Sequence, residues 1–315
     1  MNALQQEYHD VLSGMQGRDI LVIGDMVADI YLDGRISRIS REAPVLVLEQ
    51  AGEKVVAGGA ANVVNNIATL GGKVHAVGLV GRDKSADGLR EILTANGADV
   101  RGLIADDSRP TISKTRIIAG GRATVSQQIV RIDRESKAPM APAVEAELRA
   151  YIKSVLPTVE GVVISDYGSG TVTEGLQTLL IDYCRAHDIP SIVDSRYAVR
   201  RFHGIGYVKQ NDAEIAAAKG VLVTRGELGM VLVEHGAVHE IPVSDKSEVF
   251  DVSGAGDTCV AAVILALAAG IAPATAARLS NIASGIAVRK LGTSTVSVRE
   301  LAAAIEKSRE EYTSK

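Results

Sequence analysis

Tryptophan is missing from this 315-residue sequence, and Tyr and Phe together make up 3% of it. The core cannot be built on large rings. Ala, Val, Ile and Leu must fill it, as they do where β-branched strands pack against Ala-rich helices. Cys184 and Cys259 are the only cysteines. Two are too few for a disulfide framework or a zinc site, so a reduced, cytoplasmic setting is expected. No apolar run approaches the length of a membrane span; residues 260–269 fall far short. No signal peptide or Arg-rich presequence is visible. A net charge of −4 gives neither a nucleic-acid nor a membrane surface, so an anionic ligand must be held by local groups. The nucleotide motifs GxxxxGK[ST] and GxGxxG are absent too.

What is present suits a globular protein with a full core: 46% of residues are hydrophobic and 23% charged. Leu4, Tyr8, Leu12 and Met15 recur at helical spacing and predict an opening amphipathic helix. Residues 19–24 (DILVIG) read as a buried strand, and residues 30–53 as strands with one wet face. GGAANVVNNIATL, from Gly58, reads as a Gly-opened helix, with a strand at 74–80 and a helix at 87–96 after it. TISKTRIIA and ATVSQQIVRID, joined by Gly120 and Gly121, form a hairpin signal. From residue 143 onward helices and short apolar strands alternate, which predicts a parallel sheet covered on both faces. The two early β-rich insertions do not fit that sheet and predict a separate lid.

The strongest motif is DVSGAGDT, residues 251–258, expected to follow an alternating run ending in Val249 and Phe250 and to open an Ala-rich helix. Gly254 and Gly256 tolerate backbone conformations that other residues resist. Gly254, Ala255 and Gly256 would then aim amide N–H groups at one point, at a helix N-terminus that favours negative charge. A transferring phosphoryl group needs such donors. Asp257 beside them can take a proton from an attacking hydroxyl. The same residues also fit a glycine-rich cap with a first-turn acid. GDMVAD places Asp25 and Asp29 beyond the first strand, where ligands of open parallel sheets bind; capping a turn is the plainer alternative. Gly58 and Gly59 permit close approach, and Asn62 and Asn66 lie one turn apart on one helix face. Those amides suit a polyol, or equally a buried helix start.

Together these motifs resemble the ribokinase-like, or phosphofructokinase B, carbohydrate kinase family over nearly the whole chain. GGAANVVNNIATLGGKVHAVGLVG looks like its first signature and DVSGAGDTCVAAVILALAAG like its second. The resemblance implies an α/β fold, a three-layer α/β/α sandwich with a mostly parallel central sheet. It implies one domain over residues 1–315, with a discontinuous β lid at about 30–57 and 111–133. It implies transfer of the ATP γ-phosphate with Mg²⁺, and K⁺ as a possible helper. By motif matching, Asp257 becomes the base, and Gly254, Ala255 and Gly256 the anion hole. Asn211 and Glu214 fall near phosphate and Mg²⁺. Thr224, Arg225, Gly226 and Asn281 fall by the nucleotide. Asp251, Gly292 and Ser294 fall in a monovalent-cation loop.

GDMVADIYLDGRISRISREAPVLVLE, TISKTRII with QQIVRID, ISDYGSG and KLGTSTVS further resemble heptose 7-phosphate kinases, which phosphorylate the anomeric O1. A phosphosugar needs cations at the end away from the reacting hydroxyl. Lys114 and Arg116 alternate onto one face of a lid strand, and Arg131 and Arg196 are further candidates, with Asp166 beside them. The plainer alternative is that these charges solubilise the lid. Lids with exposed edges also predict a homodimer. Another sugar kinase, a pseudouridine 5′-phosphate glycosidase-like lyase and a non-catalytic regulator remain alternatives. Two departures stand out. Ser169 occupies the place of a Lys common after the DY pair, and the stretch between Glu214 and Val221 is about twenty or more residues shorter than the family's pattern. No space remains for the nucleotidyltransferase domain that some such kinases carry, so that activation step is expected of another protein.

Overall fold

The computed structural model describes residues 3–120, 126–195, 199–210, 218–243 and 249–313. Helix α1 (Ala3–Met15) leads into strand β1 (Asp19–Gly24), then β2 (Met26–Ile39) and β3 (Leu46–Gly59). Helix α2 (Ala60–Thr69), β4 (Lys73–Val80), α3 (Lys84–Ala95) and β5 (Asp99–Ala105) follow. Next come β6 (Ile112–Gly120), β7 (Gln127–Arg134), α4 (Pro142–Val155), β8 (Gly161–Asp166), α5 (Glu174–His187) and β9 (Ser191–Ser195). Then β10 (Tyr207–Gln210), β11 (Gly220–Thr224), β12 (Met230–Glu234) and β13 (Ala237–Ile241) precede α6 (Ala255–Ala268), α7 (Pro273–Ala287) and α8 (Val298–Thr313).

Nine of these strands form the central sheet, in the order β13-β12-β11-β10-β9-β8-β1-β4-β5. Pairing is parallel from β11 to β5, while β12 and β13 join one edge as an antiparallel hairpin. Side chains of β1 alternate between two cores, as period-2 geometry demands. Ile20 and Val22 enter the core with α1, α2, α6, α7 and α8. Leu21 and Ile23 enter the core with α4 and α5. This is the predicted three-layer sandwich. Helix α6 is buried on all sides from Asp257 to Ala266, which explains its nearly unbroken apolar sequence.

The second sheet has the order β3-β2-β6-β7. Its base grows directly out of the core, since β2 follows Asp25 and β3 runs into α2. Asp29 pairs in register with Lys114, and Tyr31 with Arg116, across β2 and β6. Lys114 pairs with Asp133, and Arg116 with Arg131, across β6 and β7. Those six side chains therefore share one face. Among the described residues no helix is long and apolar enough to cross a membrane.

Several elements differ from the sequence reading. Gly58 and Gly59 close a strand, and the helix starts at Ala60. β5 and β13 were not anticipated: DVRGLIA and AVHEI contain apolar residues but in no clean alternation. Val249 and Phe250 end no strand; they are exposed by 59% and 62%, and the Phe250 amide donates to Val288 O. Parallel β10 and β11 are joined by residues 211–219 alone, shorter than the dozen or more such crossovers usually take. Of these, 211–217 lie outside the described residues, and Lys219 pairs with Asp188 at 3.2 Å.

At the end of the sheet away from the N-terminus of α6, His75 sits between two carboxylates. Its Nε2 lies 3.0 Å from Asp19 Oδ1 and its Nδ1 3.2 Å from Asp99 Oδ2. The first contact is a charge contact rather than an aligned hydrogen bond, since that oxygen lacks a well-directed donor. Asp19 raises the imidazole pKa, burial opposes it, and Asp99 adds to the rise. A raised pKa makes charged His75 stabilising below the unfolded value of about 6.5, and that stability fades as pH climbs through the folded value. His75→Gln is expected to cost about 1 kcal/mol at pH 6 and little at pH 9. Urea unfolding at both pH values measures this; equal losses would contradict it.

Candidate active site

The site lies beyond the carboxyl ends of β1, β8, β9 and β10, at the N-terminus of α6, where open parallel sheets place ligands. Gly254 caps α6 in the left-handed region, with φ of 80°. A Cβ there would also lie 2.7 Å from Asn62 Nδ2, so only glycine fits. The Ala255 amide donates to Val252 O at 3.3 Å, and the Thr258 amide to Gly254 O at 3.0 Å. The tight turn thus uses Ala255 internally and stands at the positive end of the helix dipole.

Asp257 sits in the first turn, 6% exposed. Asn62 Nδ2 donates to its Oδ2 at 2.8 Å, and the Tyr167 hydroxyl to its Oδ1 at 3.1 Å. Burial pushes its pKa up to about 7, helped by the charge of Asp194 and opposed by Asn62, Lys209 and Tyr167. A carboxyl so poised is suited to accept a proton near neutral pH.

Lys209, on β10, is 3% exposed and pairs with Asp194 of β9 at 2.9 Å. Burial pulls its pKa down, but Asp194 outweighs that and holds the ammonium charged. The ammonium lies 2.6 Å from where a Cβ on Gly256 would stand, so it lies directly against the α6 turn. Glycine at 256 leaves space for it. Lys209, Asp194 and Tyr167 were not singled out by sequence reasoning. The only trace was that Tyr167 lies inside ISDYGSG and Lys209 just before Asn211.

Asp25 is fully buried, directly after β1. Its Oδ2 accepts the amides of Tyr167 at 2.8 Å and Ser169 at 3.1 Å, and its Oδ1 the amide of Thr171 at 3.4 Å. Burial raises its pKa, and these bonds work against that rise. Its carboxylate therefore builds the loop after β8. Asn66 is likewise inward-facing. Its Oδ1 accepts from Thr258 Oγ1 and the Val296 amide, and its Nδ2 donates to Asn62 O and Oδ1 and to Ser294 O. It ties α2 to α6 and to residues 294–296. Asp166 accepts from Ser195 Oγ at 2.8 Å and Arg201 Nη2 at 3.0 Å.

On the lid, Asp29 Oδ1 accepts from Arg116 at 2.5 Å and Oδ2 from Thr293 Oγ1 at 3.1 Å. The Arg116 guanidinium stacks over Tyr31, 5.3 Å from its ring centre. Gly58 and Gly59 pass so close to Asp29 and Asp25 that a Cβ on either would lie within 2.7 Å of that residue's atoms. Lys114 Nζ bonds Asp133 Oδ2 at 3.0 Å, and Arg131 bonds both oxygens of the same carboxylate at 2.8 and 2.9 Å. The Asp251 carboxylate accepts the amides of Ser253 and Gly292, joining the two loops assigned to a cation. Farther along the sheet, Thr224 Oγ1 donates to Gln210 O at 3.3 Å, the Arg225 amide to Gly229 O at 2.8 Å, and Gly226 turns with φ of 55°. Asn281 Nδ2 donates to Pro242 O at 2.6 Å. Arg196, Asn211 and Glu214 lie outside the described residues. Among the described residues no group of three or more His, Cys, Asp or Glu side chains is arranged to hold a metal ion.

The family model described as pfkB family carbohydrate kinase matches residues 18–220 and again 207–300. The matches overlap where the β10–β11 crossover is short. The bifunctional protein HldE of Azorhizobium caulinodans is 39% identical over 324 aligned residues, covering 95% of this chain and 66% of that protein. That alignment is longer than the 315-residue chain, so the relative carries residues this chain lacks. The bifunctional protein HldE of Citrifermentans bemidjiense is 41% identical over 312, covering 90% of this chain and 63% of that protein. The chain thus spans less than two thirds of the length of these curated relatives. Phosphofructokinase-2 from Escherichia coli, solved with substrates and products, superposes with a TM-score of 0.71 at 20% identity, covering 93% of this chain and 99% of that one. Arabidopsis thaliana ribokinase, solved with ribose and ATP, gives 0.68 at 16%, covering 92% and 99%. These likenesses establish a ribokinase-like fold. With the family match spanning both signature motifs, the second of which holds the buried Asp257, the chain belongs to the pfkB family of carbohydrate kinases.

Proposed function

We propose that this kinase transfers the γ-phosphoryl group of ATP to O1 of D-glycero-D-manno-heptose 7-phosphate, giving the 1,7-bisphosphate. The observation that carries the reading is Asp257, a buried carboxyl with a pKa near 7 at the N-terminus of α6. The substrate O1–H bond breaks and its proton goes to Asp257. The O1 lone pair attacks the γ-phosphorus, and the bond to the β–γ bridging oxygen breaks, releasing ADP. The α6 turn and the Lys209 ammonium face the charge that develops on the transferring group. Mg²⁺ would supply further charge neutralisation. Its assigned residue, Glu214, lies outside the described residues, so the steps above rest on the protein's own groups.

The substrate class is argued from the lid. Lys114, Arg116 and Arg131 share one face with Asp29, whose base reaches the Asp257 neighbourhood through Gly58 and Thr293. A distal phosphate accepts bidentate bonds from such cations, displacing Asp133 as their partner. Asp25 and Asn66 take part from beneath, by fixing the loop and helix that face the sugar. The monovalent-cation role of Asp251, Gly292 and Ser294 and the nucleotide role of Thr224, Arg225, Gly226 and Asn281 belong to the same proposal.

Asp257→Asn is expected to lower turnover at least about 10²-fold while leaving sugar-phosphate affinity by calorimetry within about twofold. Unchanged turnover would contradict the base assignment. Lys114→Ala and Arg116→Ala are expected to raise KM for the heptose 7-phosphate about tenfold or more, with little effect on an unphosphorylated heptose. Equal turnover of phosphorylated and free sugars by the wild type would contradict the substrate. No sugar-dependent ATP consumption at all would favour a regulator, the reading motivated by the short β10–β11 crossover.

The lid also motivates a homodimer. Val130 and Ile132, on the face opposite Arg131, are 45% and 54% exposed, and Ile39, Val45 and Leu46 at the β2–β3 tip are exposed as well. A second copy is the proposed cover. Light scattering at micromolar concentration is expected to give a dimer, and Val130→Asp with Ile132→Asp a monomer; a monomeric wild type would contradict this.

A further inference from the structure

Two donors of different kinds hold Asp257. Asn62 Nδ2 reaches Oδ2, and the Tyr167 hydroxyl reaches Oδ1. An amide nitrogen can only donate, whereas a phenol hydroxyl donates or accepts by rotating about its C–O bond. The two carboxylate oxygens therefore differ in what they can do once a proton arrives. At Oδ2 the Asn62 donor cannot reverse. At Oδ1 the phenol can turn its own hydrogen away and accept from the new O–H.

Tyr167 is also held firmly enough for this. Its amide donates to Asp25 Oδ2 at 2.8 Å, and the Ser169 amide to the same oxygen at 3.1 Å. Gly168 and Gly170, with φ of 81° and 88°, let the loop fold back onto that carboxylate. Asp25, fully buried at the end of β1, has its oxygens turned to this loop. A rigid line thus runs from β1 through Asp25 and the 167–171 loop to the phenol on Asp257.

We propose that Tyr167 is a positioning residue that keeps Asp257 ionised before the reaction and selects Oδ1 as the oxygen that receives the substrate proton. The inference rests on Asp257 acting as the base. The balance is simple. The substrate O–H breaks and the Asp257 Oδ1–H forms. The freed electron pair goes to phosphorus. Tyr167 keeps its own proton throughout, changing only from donor to acceptor.

The test is the acid limb of kcat/KM against pH in three variants of the full chain. Tyr167→Phe removes one donor to the anion, so Asp257 should protonate more readily and the limb should move up by about one pH unit. KM for the sugar phosphate above the limb should stay within about twofold. Site-specific 3-fluorotyrosine at 167, a stronger donor of nearly the same shape, should move the limb down. That variant carries the test if Tyr167→Phe does not fold. A limb that stays put in the fluorinated protein or in a folded Tyr167→Phe overturns the proposal, even with lowered kcat, because a merely structural phenol would depress turnover equally at every pH. Asp257→Asn separates the two levels of the argument. Retained turnover there overturns the base reading and this inference with it. Lost turnover with an unmoved limb in the Tyr167 variants overturns the Tyr167 assignment alone.

Discussion

Burial of one carboxyl group, Asp257, sets the terms for everything around it. A carboxylate taken out of water is costly unless donors replace the lost solvent. The fold meets that demand from two distant parts of the chain. Asn62 comes from α2, 195 residues away in sequence, and Tyr167 from the loop after β8, 90 residues away. Both donors must arrive within hydrogen-bond reach of one side chain. That requirement explains why Gly254 has no side chain to crowd Asn62, and why the backbone of 167–171 is tied to a buried Asp25.

The rest of the site follows the same logic of charges with assigned partners. Asp194 holds Lys209, Arg201 and Ser195 hold Asp166, Arg116 and Thr293 hold Asp29, and backbone amides hold Asp25 and Asp251. Thr293 is the link between two regions that the sequence treats as separate. Its hydroxyl bonds the lid at Asp29 and its amide reaches the Tyr31 hydroxyl, while a Cβ on Gly254 would lie 3.1 Å from its methyl. The lid and the α6 turn therefore share a wall. An occupant that moves Asp29 or Arg116 therefore acts on the α6 turn as well.

Much of this was legible beforehand because glycines and short motifs report local backbone needs. Gly254, Gly256 and Asp257 could be read as a phosphate-facing helix start, and the three-layer sheet followed from alternating apolar strands and helices. The strands β5 and β13 were not legible, since neither carries the apolar alternation that marks a strand. Val249 and Phe250 misled for the opposite reason: they look like strand residues but stand exposed beside α7. The roles of Asp25 and Asn66 were hidden too. Sequence puts polar groups beside the ligand but cannot show that their hydrogen bonds are already taken by Tyr167, Ser169, Thr258 and Val296. Tyr167 was invisible as a partner of Asp257 because their contact exists only once β1, β8 and α6 are assembled.

The central claim is that burial, moderated by Asn62 and Tyr167, places the Asp257 carboxyl near neutrality. The direct measurement is a ¹³C NMR titration of that carboxyl carbon in the free protein, assigned with Asp257→Asn. The account predicts a midpoint near 7. A midpoint near the ordinary Asp value of about 4 would contradict it.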